Sequence, residues 1–204
     1  MRADTAIAVG LLMSLGLSGA LHAAQPYQPQ VGDIVFQITT SSQSVAVQQA
    51  TRSPWSHVGL VLFQGGQPVV LEAVQPVKYT PLKQWLDSGK GGRHVIQRLN
   101  RPLTAAEQAA LHQRAKAYVG KPYDLTFEWS DDRIYCSELV WKLYRDALGI
   151  ELAPLARLKN FDLTTPAVRA KLQERYGDRV PLDEPVIAPV AIHESRLLRV
   201  VARR

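Results

Sequence analysis

The feature that most restricts the fold of this chain is an amphipathic pattern that begins at Cys136. From that residue, apolar side chains recur at the spacing of one helix face, and Gly149 ends the pattern. The residues on this face are Cys136, Leu139, Val140, Leu143, Tyr144 and Ala147. A helix with one apolar face has to bury that face against another layer of structure. The sequence therefore predicts a packed helix with a cysteine at or near its N terminus.

Strand patterns fill much of the preceding chain. Gly65 and Gly66 form a turn between two β-branched segments, which predicts a hairpin. A tight turn pairs Gln64 with Gln67, so that the numbers of paired residues sum to 131. The predicted strands are 33–38, 57–63, 69–74, 95–99, 186–193 and 197–201. The predicted helices are 41–51, 81–87, 104–118, 136–148 and 166–176. Together these elements indicate one α+β domain.

The first 24 residues have a different character from the rest of the chain. The apolar stretch from Ala6 to Leu21 is followed by the small residues Ala23 and Ala24, a pattern typical of a secretory signal peptide. We therefore expect a signal peptide at 1–24, a single domain at 25–204, and a periplasmic or otherwise extracytoplasmic location. A retained membrane anchor is the alternative. After signal cleavage we expect no stable membrane span.

Composition and motif spacing exclude several classes of protein. Apolar residues make up 46% of the chain and charged residues 21%, which are values of a folded domain rather than a disordered one. The net charge of +6 comes from scattered basic residues without interleaved aromatics, so nucleic acid is not an expected partner. The sequence contains neither a zinc-site spacing nor a complete phosphate-binding loop, and we expect no metal and no organic cofactor.

Cys136 is the first candidate for chemistry, and it is the single cysteine of the chain. Backbone N–H groups and the helix dipole at a helix N terminus stabilise a thiolate. The same groups can stabilise the oxyanion that forms when an acyl carbon is attacked. The alternative is a small buried side chain, because Cys136 also lies on the apolar face of its helix. Position alone leaves both interpretations open.

His57 is the candidate base, and Glu72 is the candidate carboxylate that orients it. His57 and Gly59 share one face of their strand, and a glycine inside a strand often marks a close approach by another group. The register that sums to 131 places Glu72 opposite Gly59, one diagonal step from His57. A carboxylate there can hold an imidazole as in a catalytic triad. The alternatives are a histidine without a catalytic role and an edge-strand glutamate that faces solvent.

Several short motifs occur in a characteristic order between residues 31 and 150. They are VGDIVF at 31–36, SPWSHVGL at 53–60, LEAV at 71–74, GKPYDLTF at 120–127 and YCSELV at 135–140. This set resembles the circularly permuted, YiiX/YebB-like branch of the NlpC/P60 superfamily of papain-like cysteine hydrolases, in which the histidine precedes the cysteine. Two positions depart from the common superfamily pattern, since Tyr135 replaces an aspartate and Glu138 replaces a glycine.

The resemblance implies a permuted papain-like NlpC/P60 fold, with an antiparallel sheet or small barrel packed against helices and the nucleophile at a helix N terminus. It also implies a Cys136–His57–Glu72 site, to which we add the Tyr123 hydroxyl as a candidate for oxyanion stabilisation or substrate binding. Residues 151–204 form a C-terminal extension to which the resemblance gives no role.

The expected activity is hydrolysis of an amide or ester bond through a thioester on Cys136. The resemblance favours a peptide or other amide from the cell envelope as substrate, and a lipid ester or amide is the second candidate. A third hypothesis, from another class, is a non-catalytic binding module on a decayed fold. The presence of Cys136, His57 and Glu72 together argues against that third hypothesis.

Overall fold

The computed structural model describes residues 26–204, so the predicted signal peptide lies outside the described residues. The strands are β1 (Ile34–Gln37), β2 (His57–Gln64), β3 (Gln67–Glu72), β4 (Lys78–Pro81), β5 (His94–Leu99), β6 (Ala156–Arg157), β7 (Pro185–Val186) and β8 (Leu198–Arg203). The helices are α1 (Ser42–Thr51), α2 (Leu82–Ser88), α3 (Ala105–Lys116), α4 (Cys136–Leu148), α5 (Pro166–Tyr176) and α6 (Pro189–His193). None of the helices in this part of the chain has the length and apolar character needed to cross a membrane.

Six strands form one antiparallel sheet in the order β4-β3-β2-β1-β5-β8, and β6 pairs with β7 separately. The β2–β3 hairpin pairs Gln64 with Gln67 and Leu60 with Leu71, which confirms the predicted register. The sheet therefore brings the start of β2, where His57 lies, next to the end of β3, where Glu72 lies.

Helices cover both faces of this sheet. Val58, Leu60 and Leu62 of β2 belong to the main core cluster together with the apolar face of α4. Val61 belongs to a second cluster that includes Trp85 of α2. This division follows the alternation of side chains along a strand. Helix α3 packs beside α4, and α5 packs beside α1.

The start of α3 and the end of α4 follow their sequence signals. Thr104 and Glu107 form the predicted capping box at α3, and Gly149 adopts a left-handed conformation at the end of α4. By contrast, the prediction of a strand at 186–193 is wrong beyond Val186, because Pro189 begins helix α6. Proline has no N–H for a strand ladder, and its fixed φ suits the first position of a helix.

The C-terminal part of the chain is joined to the sheet and to the core. Strand β8 pairs with β5 over its whole length. Ile187 and Ile192 are buried in the same cluster as the apolar face of α4. Residues 151–204 therefore pack against the elements that carry the candidate site.

Candidate active site

Cys136 is the first residue of α4 and is only 5% exposed. Ile134 and Tyr135, directly before it, are buried, and this anchors the start of the helix in the core. The side chain of Glu138 accepts a hydrogen bond from the Tyr135 backbone N–H at 3.3 Å. The nucleophile candidate is thus held at a helix N terminus, as the sequence predicts.

Cys136 lies close enough to the His57 side chain and to the backbone N–H groups of Val58 and Ser137 for these groups to act on the pKa of its thiol. Burial raises the pKa of the thiol, but the hydrogen bond and charge of His57 and the two N–H groups lower it, with a net decrease. This net decrease in the pKa favours the thiolate, which is the nucleophilic form.

His57 begins β2 and pairs there with Gln37 of β1. Its Nε2 lies 2.7 Å from Oε2 of Glu72, which leaves Nδ1 as the ring nitrogen available to Cys136. The imidazole stacks on the Trp85 indole, with ring centroids 5.8 Å apart. Burial lowers the pKa of His57, but the hydrogen bonds to Cys136 and Glu72 outweigh burial and raise it to about 10. The arrangement favours an imidazolium–thiolate ion pair.

Glu72 ends β3 and is 6% exposed, so the alternative of a carboxylate facing solvent is wrong. Besides His57, Thr80 Oγ1 donates to its Oε1 at 2.6 Å and Trp85 Nε1 donates to its Oε2 at 2.8 Å. Burial raises the pKa of Glu72, but these hydrogen bonds and the charge of His57 lower it below the ordinary value. The three donors keep a buried carboxylate ionised beside the imidazole.

Sequence reasoning did not find Thr80 and Trp85. Residues 78–81 carry no strong strand pattern, and Trp85 fits the apolar face of a short helix. The sequence signal for such residues is Glu72 itself, because a carboxylate between apolar residues needs hydrogen-bond donors from elsewhere in the fold. That signal predicts that donors exist, although it does not say which residues supply them.

Tyr123 lines the same cavity as Cys136. Its backbone N–H donates to Gln75 Oε1 at 2.6 Å, and its hydroxyl oxygen accepts a hydrogen bond from Gln43 Nε2 at 2.6 Å. Burial and the neighbouring charge of Cys136 raise the pKa of the phenol, which therefore stays protonated and can donate. Gln43 is a third residue that sequence reasoning did not find, after Thr80 and Trp85.

Two cavities meet at this site. The first has a volume of about 760 Å³, counting space open to solvent, and it is apolar apart from a few side chains. It is lined by Cys136, by α1 and α5 and by the segment 186–189. The second, of about 1230 Å³ on the same measure, is more polar and contains His57 and Glu72. Gln43, Ser56 and Tyr123 line both cavities. The thiol thus faces an apolar space, and the base faces a polar one.

The geometry described above is that of a papain-like hydrolase, in a circularly permuted form because the histidine strand precedes the cysteine helix. The sequence of residues 28–201 matches the family of permuted papain-like amidases named YaeF/YiiX, C92. The chain belongs to this family, which confirms the resemblance and the predicted fold class.

Two relatives from Escherichia coli are similar to this chain over nearly their whole length. The uncharacterized protein YiiX of strain K12 is 50% identical over 193 residues, which cover 95% of this chain and 94% of YiiX. A crystal structure of YiiX from strain O157:H7, described as a metalloprotein, superposes with a TM-score of 0.85 at 52% identity. That match covers 87% of this chain and 99% of the YiiX chain.

Proposed function

We propose that this protein is an exported cysteine hydrolase that cleaves an amide bond, or an ester bond, through an acyl-enzyme on Cys136. Membership of a family of papain-like amidases supports the reaction class. The observation that carries the cysteine mechanism is the buried cluster in which His57 lies 2.7 Å from Glu72 and lowers the pKa of the Cys136 thiol. Glu72 orients the imidazole, and His57 holds the proton of the thiol.

The reaction follows from these positions. The thiolate attacks the carbonyl carbon, and the backbone N–H of Cys136 and the hydroxyl of Tyr123 stabilise the oxyanion. His57 then gives its proton to the leaving amine or alcohol as the bond to the carbonyl carbon breaks. Water next attacks the thioester and transfers a proton to His57, and the acid leaves. His57 is then protonated and Cys136 is again a thiolate, so the starting ion pair is restored.

The related YiiX structure is described as that of a metalloprotein. Within residues 26–204 of this chain, no group of three or more His, Cys, Asp and Glu side chains is arranged to hold a metal ion. Nε2 of His57 is already hydrogen-bonded to Glu72, and the Glu72 carboxylate also accepts hydrogen bonds from Thr80 and Trp85. These residues do not fit a resident metal ion, and the mechanism proposed here uses none.

The proposed export favours a substrate from the cell envelope, and a peptide or other amide is the primary candidate. The apolar cavity favours a second candidate, an aliphatic acyl chain joined to a polar amine or alcohol. Cys136 retains the acyl half of a substrate and lines the apolar cavity, whereas His57 protonates the leaving half and lines the polar one. A lipid amide or ester would match this division.

The direct test is to trap the acyl-enzyme. We expect the wild-type protein, incubated with an envelope extract and quenched in acid, to carry a hydroxylamine-labile adduct on Cys136 detectable by intact mass spectrometry. The mass of the adduct distinguishes a peptidyl group from a fatty acyl group. Cys136→Ala should carry no adduct. An adduct on Cys136→Ala, or hydrolysis by that variant at the wild-type rate, would contradict the proposed function.

A further inference from the structure

A line of hydrogen bonds connects helix α5, in the C-terminal part of the chain, to the candidate active site. Arg175 Nη2 donates to Gln43 Oε1 at 2.9 Å. Gln43 Nε2 donates in turn to the Tyr123 hydroxyl at 2.6 Å. The Arg175 guanidinium also lies 4.7 Å from the centroid of the Phe127 ring, which fixes it from a second side.

The direction of this line is determined by the chemistry of its members. A guanidinium has only N–H donors, so Gln43 has to present its carbonyl oxygen to Arg175. The amide group of Gln43 is thereby turned toward Tyr123, and an NH₂ group can only donate. The Tyr123 oxygen is therefore the acceptor, which leaves its own proton free for a different acceptor. Because Tyr123 lines the cavity of Cys136, that acceptor can be a substrate oxygen.

We propose that Gln43 and Arg175 are positioning residues that fix the direction of the Tyr123 hydroxyl, so that its proton is available to the oxyanion on a carbonyl attacked by Cys136. The inference rests on the proposed cysteine mechanism and extends it to α5. It gives the C-terminal extension a role in the reaction, because Arg175 lies beyond residue 150. Neither Gln43 nor Arg175 needs to touch the substrate.

The competing explanation is that the Gln43–Arg175 hydrogen bond only holds α1 against α5 and has no role in the reaction. The variant Gln43→Glu distinguishes this structural role from the positioning role. A carboxylate at position 43 retains the contact between α1 and α5, because it forms an ion pair with Arg175. A carboxylate cannot donate a hydrogen bond, however, so the Tyr123 hydroxyl donates its proton to the carboxylate. That proton is then no longer available to the oxyanion. We expect thermal stability equal to or above that of the wild type, with acylation slowed by about 10²-fold, as for removal of one oxyanion donor.

The measurement is single-turnover acylation by p-nitrophenyl butanoate, followed by p-nitrophenolate release and by the mass of the Cys136 adduct. Gln49→Glu is the matched control, because Gln49 is exposed on the same helix, and we expect its rate to equal that of the wild type. Arg175→Lys should retain more of the rate than Arg175→Met, since lysine still donates to Gln43. Gln43→Glu and the two Arg175 variants test the donor relay without altering Cys136, His57 or Glu72.

A double variant distinguishes the relay from a simple charge effect on the thiolate. If Gln43→Glu acts through Tyr123, the double variant should acylate at nearly the same rate as Tyr123→Phe alone. Multiplicative losses in the double variant, or a Tyr123→Phe rate equal to the wild-type rate, would overturn the inference. In either case wild-type acylation of Cys136 would leave the proposed function intact. Absence of any Cys136 adduct on the wild-type protein would instead contradict the proposed function itself.

Discussion

The thiol of Cys136 is subject to opposed effects on its pKa. Burial favours the neutral thiol, while His57 and the N–H groups of Val58 and Ser137 favour the thiolate. The net decrease in the pKa leads us to expect that the reactivity of this cysteine depends on these partners. His57 is the partner that can be removed without altering the start of α4, so it offers the cleanest test of that dependence.

We expect Cys136 to react with iodoacetamide at about pH 6, where an ordinary thiol with a pKa near 8.5 is almost wholly protonated. In His57→Ala the pKa of the thiol should rise, because burial then acts without the opposing imidazolium, and the rate at pH 6 should fall by about 10-fold or more. The measurement is the alkylation rate between pH 5 and 9. Equal rates for the two proteins at pH 6 would show that His57 does not activate Cys136.

The acid–base behaviour of His57 gives a second prediction. Its pKa, raised to about 10, places loss of the imidazolium, and of activity, at the alkaline end of the pH profile. Glu72→Gln removes a carboxylate that raises this pKa, so the alkaline limb should move to lower pH. The acylation rate should also fall by roughly 10²-fold or more, because the amide orients the imidazole less well. The measurement is the pH dependence of acylation by p-nitrophenyl butanoate.

Exposed Glu151 supplies the control for that experiment, since Glu151→Gln makes the same change at a residue that lines neither cavity of the site. We expect its pH profile to overlay that of the wild type. An alkaline limb that stays in place in Glu72→Gln would contradict a role of Glu72 in setting the pKa of His57.

At the scale of elements, the β2–β3 hairpin shows how far sequence reasoning extends. The two-glycine turn and the alternation of β2 were sufficient to predict the register and hence the meeting of His57 with Glu72. Trp85 and Thr80 could not be predicted in the same way, because they reach Glu72 from α2 and β4 through tertiary packing. Gln43 depends likewise on the docking of α1 against α5, which leaves no periodic signal in the sequence.

Gly59 lies near the open end of this hairpin, where it pairs with Val35 of β1, and its replacement tests the packing. A Cβ atom on residue 59 would lie 2.4 Å from Val70 Cγ1 and 3.1 Å from the Leu71 carbonyl oxygen. We therefore expect Gly59→Ala to reduce the free energy of unfolding by about 1–3 kcal/mol, measured by urea denaturation. Adding Val70→Ala removes the atom in closest conflict, so the double variant should be more stable than the sum of the two single effects. Strictly additive effects would show that the clash is relieved elsewhere.

At the scale of the whole molecule, the C-terminal residues 151–204 meet the nucleophile helix directly. The Ile187 backbone N–H donates to the Tyr135 hydroxyl at 3.0 Å, and Ser137 Oγ donates to the Ile187 carbonyl at 2.8 Å. These bonds hold the extension against the residues on either side of Cys136. The short motifs that carry the resemblance end at residue 140 and say nothing about this contact, whereas the family match extends to residue 201.

The separated fragments 26–150 and 151–204 test whether the two parts are one folding unit. The first fragment lacks the β8 partner of β5, and it exposes the core surface that Ile187 and Ile192 cover. Each such buried side chain contributes about 1.5–3 kcal/mol, and a typical domain is stable by only about 5–15 kcal/mol. We therefore expect 26–150 alone to show no cooperative thermal transition by circular dichroism. Co-expression with 151–204 should restore the transition and also the iodoacetamide reactivity of Cys136 at pH 6. A fragment 26–150 that unfolds cooperatively on its own and keeps this reactivity would show that the extension is a separate addition to a complete site.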